Sequence, residues 1–218
     1  DHGHSHWQNS LIWGEGLEDI SIAGQGKIDG KGLQRWDTDE VGAGNKAIAL
    51  KNCRNVTIRD ITMQTCGHFC ILPTGVDNFS IDNLTIDTNR DGINIDCCRN
   101  VTISNCLINT HNDDAIVLKS SYALGYPRVT ENVMITNCLV SGYDENTLLD
   151  GTFQTKDNKV PDHGGTTGRI KFGTESNGGF RNITITNCTF EHCRGLALET
   201  VDGGILEDVT ISNLTMHD

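Results

Sequence analysis

The sequence predicts an all-β fold, a right-handed parallel β-helix with about 23 residues and three strands in each coil. Three observations predict it. A short pattern recurs along nearly the whole chain, each copy alternates apolar and polar residues, and a further apolar segment closes each copy.

The pattern first reads clearly from Asn55 to Met63, as Asn-Val-Thr-Ile-Arg-Asp-Ile-Thr-Met. It returns at Asn78–Ile86, Asn100–Ile108, Asn132–Val140, Asn182–Phe190 and Asp208–Met216, with a fainter copy from Asp19 to Ile22. Starts at 55, 78, 100, 132, 182 and 208 are separated by 23, 22, 32, 50 and 26 residues. A base period stretched by insertions marks a solenoid. Within a copy, Val56 and Ile58 face one way and Thr57 the other, which is strand periodicity, and the β-branched content agrees. Each copy holds two strands broken at a short polar residue: Asp60, Asn83, Asn105, Asn137, Asn187 or Asn213. Such residues tolerate unusual backbone angles at a corner and stack there as a hydrogen-bonded ladder.

The third strands read Ala47–Lys51, Phe69–Pro73, Gly92–Asp96, Ala115–Lys119, Arg169–Gly173 and Gly195–Glu199. Their alignment predicts an inward column of Ile48, Ile93, Ile116, Ile170 and Leu196. Right-handedness follows from the usual chirality of parallel crossovers. The whole chain, 1–218, reads as one domain, and residues 141–167 as an inserted loop over one edge.

Composition fits this and excludes other classes. Of 218 residues, 24 are Gly and only 3 Pro, which suits many tight turns and argues against collagen or disordered linkers. The net charge of −12 repels phosphate backbones and anionic lipid, so neither nucleic acid nor a membrane surface is expected as a partner. No apolar run approaches the roughly 20 residues that span a bilayer.

The position just before the third strand forms its own column: Lys46, His68, Asp91, Asp114, Gly168 and Arg194. Stacked coils sit about 4.8 Å apart, so Asp91 and Asp114 are expected to be neighbours, with Asp113 a third carboxylate at the turn. Crowding three acids raises at least one pKa, a cost that a function would offset. Arg169 and Lys171 point outward on the next coil, and Lys119 ends the Asp114 strand. Acids flanked by bases on a solenoid face suit an acidic sugar, with His68, Lys119, Arg169 and Lys171 as candidate substrate contacts.

Further residues carry a family resemblance. Gly24–Gly32 (Gly-Gln-Gly-Lys-Ile-Asp-Gly-Lys-Gly) followed by Trp36, Asn89-Arg90-Asp91-Gly92, and Asn112-Asp113-Asp114 resemble, in order, elements of the polygalacturonase-like enzymes, glycoside hydrolase family 28. The resemblance implies hydrolysis of pectin-type polysaccharide with inversion, Asp113 serving as general acid and Asp91 with Asp114 activating water. It also implies a substrate contact at Asn89, no cofactor and no metal, a monomeric full-length enzyme, and a secreted or periplasmic location. An inverting pair of carboxyls typically stands about 6.5–9.5 Å apart. The family's Gly-His-Gly element would fall near Thr167–Arg169, where there is no His, and its Arg-x-Lys element on Ala197–Glu199, where both cations are missing. Arg169 and Lys171 lie one coil earlier, and His163 in the insertion is a candidate to reach the site. A long loop that blocks one end of a groove suits exo action or a rhamnogalacturonan.

Two other classes compete. A polysaccharide lyase would hold Ca²⁺ on Asp91, Asp113 and Asp114 and use Lys171 as base, whereas a carbohydrate-binding solenoid would keep the groove without chemistry. Family members are typically longer, and solenoids need polar caps, so the resemblance implies a domain incomplete at both ends, with exposed apolar coil faces. Cys106, Cys138 and Cys188 align as an inward column and read as small buried hydrophobes, while a bridge among Cys66, Cys70, Cys97 and Cys98 stays open. The Asn-x-Ser/Thr triplets follow from the repeat itself, and His2, His4 and His6 alternate beside a terminus, where a metal site is the weaker reading.

Overall fold

The computed structural model describes residues 6–31, 33, 45–155 and 166–217. They wind into three parallel sheets of seven strands each, a right-handed parallel β-helix. The first sheet stacks Ser10–Glu15, Lys46–Lys51, Phe69–Thr74, Asp91–Asp96, Ile116–Lys119, Ile170–Phe172 and Leu196–Leu198. The second stacks Glu18–Ala23, Arg54–Arg59, Asp77–Asp82, Arg99–Ser104, Thr130–Thr136, Phe180–Thr186 and Leu206–Ser212. The third stacks Lys27–Asp29, Thr62–Gln64, Thr85–Thr88, Leu107–Thr110, Leu139–Ser141, Thr189–Glu191 and Thr215–His217. No helix among the described residues is long and apolar enough to cross a membrane.

The core is a set of columns along the axis. Val56, Phe79, Val101, Val133, Ile183 and Val209 stack in register in the second sheet. In the first sheet Ile48, Ile71, Ile93, Ile116, Ile170 and Leu196 do the same. Apolar side chains, mostly β-branched, nest well from coil to coil, and they bury surface that no single coil could bury alone.

One coil departs from the sequence alignment. Ile71, not Cys70, continues the column between Ile48 and Ile93, so Phe69 and not His68 stands between Lys46 and Asp91. The coil from Phe69 to Asp91 is therefore one residue shorter than the His68-to-Asp91 spacing predicted. The reason is burial: this register keeps both Cys70 and Ile71 in the core and packs the Phe69 ring in a second cluster with Trp7, Ala49 and Leu72.

The corners carry the expected ladder, and a second one. Asn55, Asn78, Asn100, Asn132 and Asn182 all hold positive φ, and each donates its side-chain amide to the residue one coil earlier. The other corner repeats this from Asn83 to Asp60, Asn137 to Asn105 and Asn213 to Asn187, but Asn105 turns to Asp82 instead. Asn pays less than other non-glycine residues for left-handed backbone, and the ladder satisfies its amide.

All nine cysteines are free thiols, including Cys66, Cys70, Cys97 and Cys98. Cys106, Cys138 and Cys188 are buried in the core as expected. Exposed apolar side chains gather on the first coil (Leu11, Ile12, Trp13, Leu17) and the last (Leu198, Val201, Ile205, Met216). The described part of the insertion folds back along the outside of the third sheet, where the amides of Asn146 and Leu149 donate to the buried Asp87 carboxylate at 2.9 and 3.0 Å. His2, His4, Trp36 and His163 lie outside the described residues.

Asn100 gives a test of the ladder, with φ of 56° and amide bonds of 3.0 Å to Asn78 and from Asn132. Asn100→Ala is expected to cost about 1–2 kcal/mol in urea unfolding. Asn100→Gly should cost clearly less, because only the bonds are lost and the backbone is relieved. Equal losses would mean that the backbone conformation contributes nothing.

Candidate active site

The site forms where the third sheet turns into the first on three successive coils. Asp91 starts one strand, Asp113 and Asp114 precede the next, and Arg169 and Lys171 come from the coil after that. Gly92 permits the close approach, since a Cβ there would stand 2.5 Å from the carbonyl oxygen of Ala115. Its amide donates to the Asp114 carbonyl at 2.9 Å. The Asp113 carbonyl accepts from the Thr110 hydroxyl at 2.7 Å and from the Gly168 amide at 3.0 Å, so the backbone that carries the acids is clamped from both sides.

The structure brings together the three acids read from the sequence. One oxygen from each of Asp91, Asp113 and Asp114 lies within 4.8 Å of the others. That is tighter than the roughly 6.5–9.5 Å expected of an inverting pair. Register explains it, because Asp91 and Asp114 stack on adjacent coils and Asp113 directly precedes Asp114. The Asp114 amide donates to Asp91 at 3.2 Å and to Asp113 at 3.1 Å, which draws the carboxylates inward.

Four cations surround the cluster. Arg169 Nε meets Asp114 at 2.5 Å, and Lys171 Nζ stands 4.0 Å from Asp114 and 3.4 Å from Glu199. Lys119 reaches back along its strand to 3.6 Å from Asp91 and 3.5 Å from Glu175, with its ammonium 5.0 Å from the centre of the Phe69 ring. Arg90 Nη2 meets Asp113 at 2.7 Å. The three acids with Arg90, Lys119 and Lys171 line a cleft that Phe69, Gly173, Thr174 and Glu175 complete, while Arg169 lies beside it on Asp114.

Charge compensation is uneven, and that separates the acids. Burial pushes Asp113 up to about 8, aided by the negative charges of Asp91 and Asp114, with Arg90 opposing. Burial and Asp91 likewise push Asp114 up to about 6, against the pull of Arg169 and Lys171. Burial also acts on Asp91, but Lys119, Arg90 and a hydrogen bond with Asp113 outweigh it and hold Asp91 below the usual carboxylate range. At neutral pH the cluster therefore holds an ionised Asp91 beside a protonated Asp113. Among the described residues, these three acids are the group whose geometry suits a metal ion. The four cations already neutralise it, which works against Ca²⁺.

Other candidates fall outside the cleft. His68 is buried with its ring 4.2 Å from that of Phe69, one register step from the acid column. Asn89 holds the turn by accepting the Asn112 amide at 3.0 Å, so it supports the acids from below. Sequence reasoning did not assign Arg90 or Glu175. Arg90 sits inside the matched Asn-x-Asp-Gly element and was the findable one, while Glu175 follows the third strand in a segment without a repeat signature.

With this geometry in hand, the chain can be set beside known proteins. The family described as "Glycosyl hydrolases family 28" matches residues 2–146. The chain belongs to glycosyl hydrolases family 28. The family 28 match includes all three acids and ends before Arg169 and Lys171. A "Probable polygalacturonase" of Vitis vinifera is 30% identical over 138 residues, covering 57% of this chain and 28% of its own. A "Polygalacturonase" of Juniperus ashei is 29% identical, covering 49% of this chain and 24% of its own. The chain thus spans about a quarter of the length of the curated relatives it matches. Among solved structures, an exopolygalacturonase from Thermotoga maritima superposes with a TM-score of 0.60 at 17% identity, over 94% of this chain and 55% of that one. A family 28 exopolygalacturonase from Yersinia enterocolitica superposes with a TM-score of 0.59 at 15% identity, over 91% of this chain and 48% of that one. These two likenesses establish the fold.

The uneven protonation has a measurable consequence for stability. The folded state keeps a proton on Asp113 up to about pH 8, whereas the unfolded chain releases it near pH 4. Between those limits the native state binds more protons, so this group's contribution to stability falls as pH rises. Asp113→Asn removes that slope. In urea unfolding, the variant should gain on the wild type steadily from pH 4 to 8, and a constant difference would disprove the raised acid.

Proposed function

We propose that the chain is the catalytic part of a polygalacturonase-type glycoside hydrolase that cleaves pectin-type polysaccharide, a galacturonan or rhamnogalacturonan. The observation that carries the reading is the split protonation of three clustered acids within a cleft edged by Arg90, Lys119 and Lys171. A glycosidase needs one carboxyl protonated to release the leaving sugar and one ionised to activate water. Asp113 fills the first role. Asp91 fills the second, with Asp114 sharing its water while Arg169 and Lys171 orient Asp114. Lys119, Arg169 and Lys171 also offer positive charge to the carboxylates of an acidic sugar. His163, from the insertion, completes the proposed substrate contacts, while Asn89 acts indirectly by holding the turn that carries the acids. Residues 141–167 are proposed to narrow one end of the groove, giving exo action. The enzyme would act as a monomer on polysaccharide outside the cytoplasm.

The family reading is inversion, and the close spacing of the acids makes the product's anomeric form the decisive measurement. NMR during hydrolysis of galacturonan and rhamnogalacturonan oligosaccharides should show a saturated product with inverted configuration at its new reducing end. Asp113→Asn should lower kcat by about 10²- to 10⁴-fold, and chelator should change nothing. A retained anomer would turn the nearest carboxylate into a nucleophile. An unsaturated product lost on chelation would make the protein a lyase, and binding without turnover would make it a lectin-like solenoid. Release of mixed-length products from a long chain would rule out exo action.

A further inference from the structure

We propose that Arg90 is a positioning residue for the general acid, holding the Asp113 carboxyl toward the cleft and taking up the negative charge that appears on it as the glycosidic bond breaks. The inference rests on the hydrolase reading and adds to it a residue that the family resemblance did not assign. Arg90 directly precedes Asp91, so the coil that supplies the ionised acid also supplies this cation. Its Nη2 meets Asp113 Oδ2 at 2.7 Å, and both side chains border the cleft with only 16% and 24% of their surface exposed.

The physical argument concerns what happens after the proton leaves. In the resting cleft Asp113 is neutral, because it is buried beside the charge of Asp91. That same environment makes its conjugate base costly, and an acid that cannot bear its own anion is a poor donor. As the proton moves from Asp113 to the glycosidic oxygen, the bond from that oxygen to the anomeric carbon breaks and the leaving sugar departs as an alcohol. Asp113 is left as a carboxylate. A guanidinium already within hydrogen-bond reach stabilises that anion more than it stabilises the neutral acid, so its effect appears in the transition state. The other charges facing Asp113 are Asp91 on the preceding coil, Asp114 and Lys119 on its own, and Arg169 on the following one. Among these cations the contact of Arg90 is the one made directly to Asp113, whereas Arg169 contacts Asp114 and Lys119 contacts Asp91.

The test uses Arg90→Gln and Arg90→Lys in two independent assays. Titration of Asp113 by carboxyl ¹³C NMR needs no turnover. Its midpoint should rise in Arg90→Gln and return toward the wild-type value in Arg90→Lys, and an unchanged midpoint in Arg90→Gln would overturn the proposal. Kinetics then compare an oligogalacturonide with a dinitrophenyl galacturonide, whose leaving group needs no proton. Arg90→Gln should lose about 100-fold in kcat on the oligosaccharide and far less on the activated glycoside, with Arg90→Lys in between on the former. Equal losses on both substrates would assign Arg90 to binding or folding and overturn the proposal. A wild type that hydrolyses neither substrate would refute the hydrolase reading, while the titration would still decide the Arg90–Asp113 coupling.

Discussion

Everything in this molecule depends on one constraint, the in-register stacking of parallel coils. Each strand takes its backbone hydrogen bonds from the strands one coil before and one coil after, so neighbours in space lie a whole coil apart in sequence, 23 residues from Ile93 to Ile116. The interior enforces the register. Ile93, Ile116 and Ile170 occupy one column, and a slip by one residue would bring a residue such as Asn94 inward and lose the aliphatic contact. The corner asparagines add a second constraint, because an amide ladder with left-handed backbone fits one alignment only. Asp91 and Asp114 meet because the core and the corners allow them nowhere else.

That geometry creates an electrostatic problem, and the surrounding residues resolve it unequally. Three carboxyls with oxygens within 4.8 Å cannot all be ionised in a buried cleft. Lys119 and Arg90 favour the charge on Asp91, while Arg169 and Lys171 act on Asp114. Asp113 receives the least compensation and stays protonated. A protonated and an ionised carboxyl thus arise from identical side chains through the position of their neighbours. The described part of the insertion is anchored on Asp87 and runs along the adjoining third sheet.

Much of this was legible before any coordinates. The repeat pointed to the solenoid, and the 23-residue spacing from Asp91 to Asp114 placed the acids side by side. Asp60, Asn83 and Asn137 were recognisable as corner residues because little else accepts that backbone. The reading failed where the pattern weakened. Around His68 the segment Phe69-Cys-Ile-Leu offers two nearly equivalent alignments, and only packing against Ile48 and Ile93 chooses between them. Arg90 was visible in the motif, but its direction was not, because a long side chain at a turn can follow several paths.

The sequence by itself determined the fold class, the coil period, the inward columns and the identity of the clustered acids. These are periodic properties, and a period is carried by spacing alone. Tertiary structure decided the register of the irregular coil, the distance between the carboxyls, the reach of Lys119 back to Asp91 and the contact of Arg90 with Asp113. These depend on side-chain paths and on the charges that converge from different coils. No linear spacing encodes such convergence, because protonation follows the sum of all neighbouring charges in three dimensions and the burial they share.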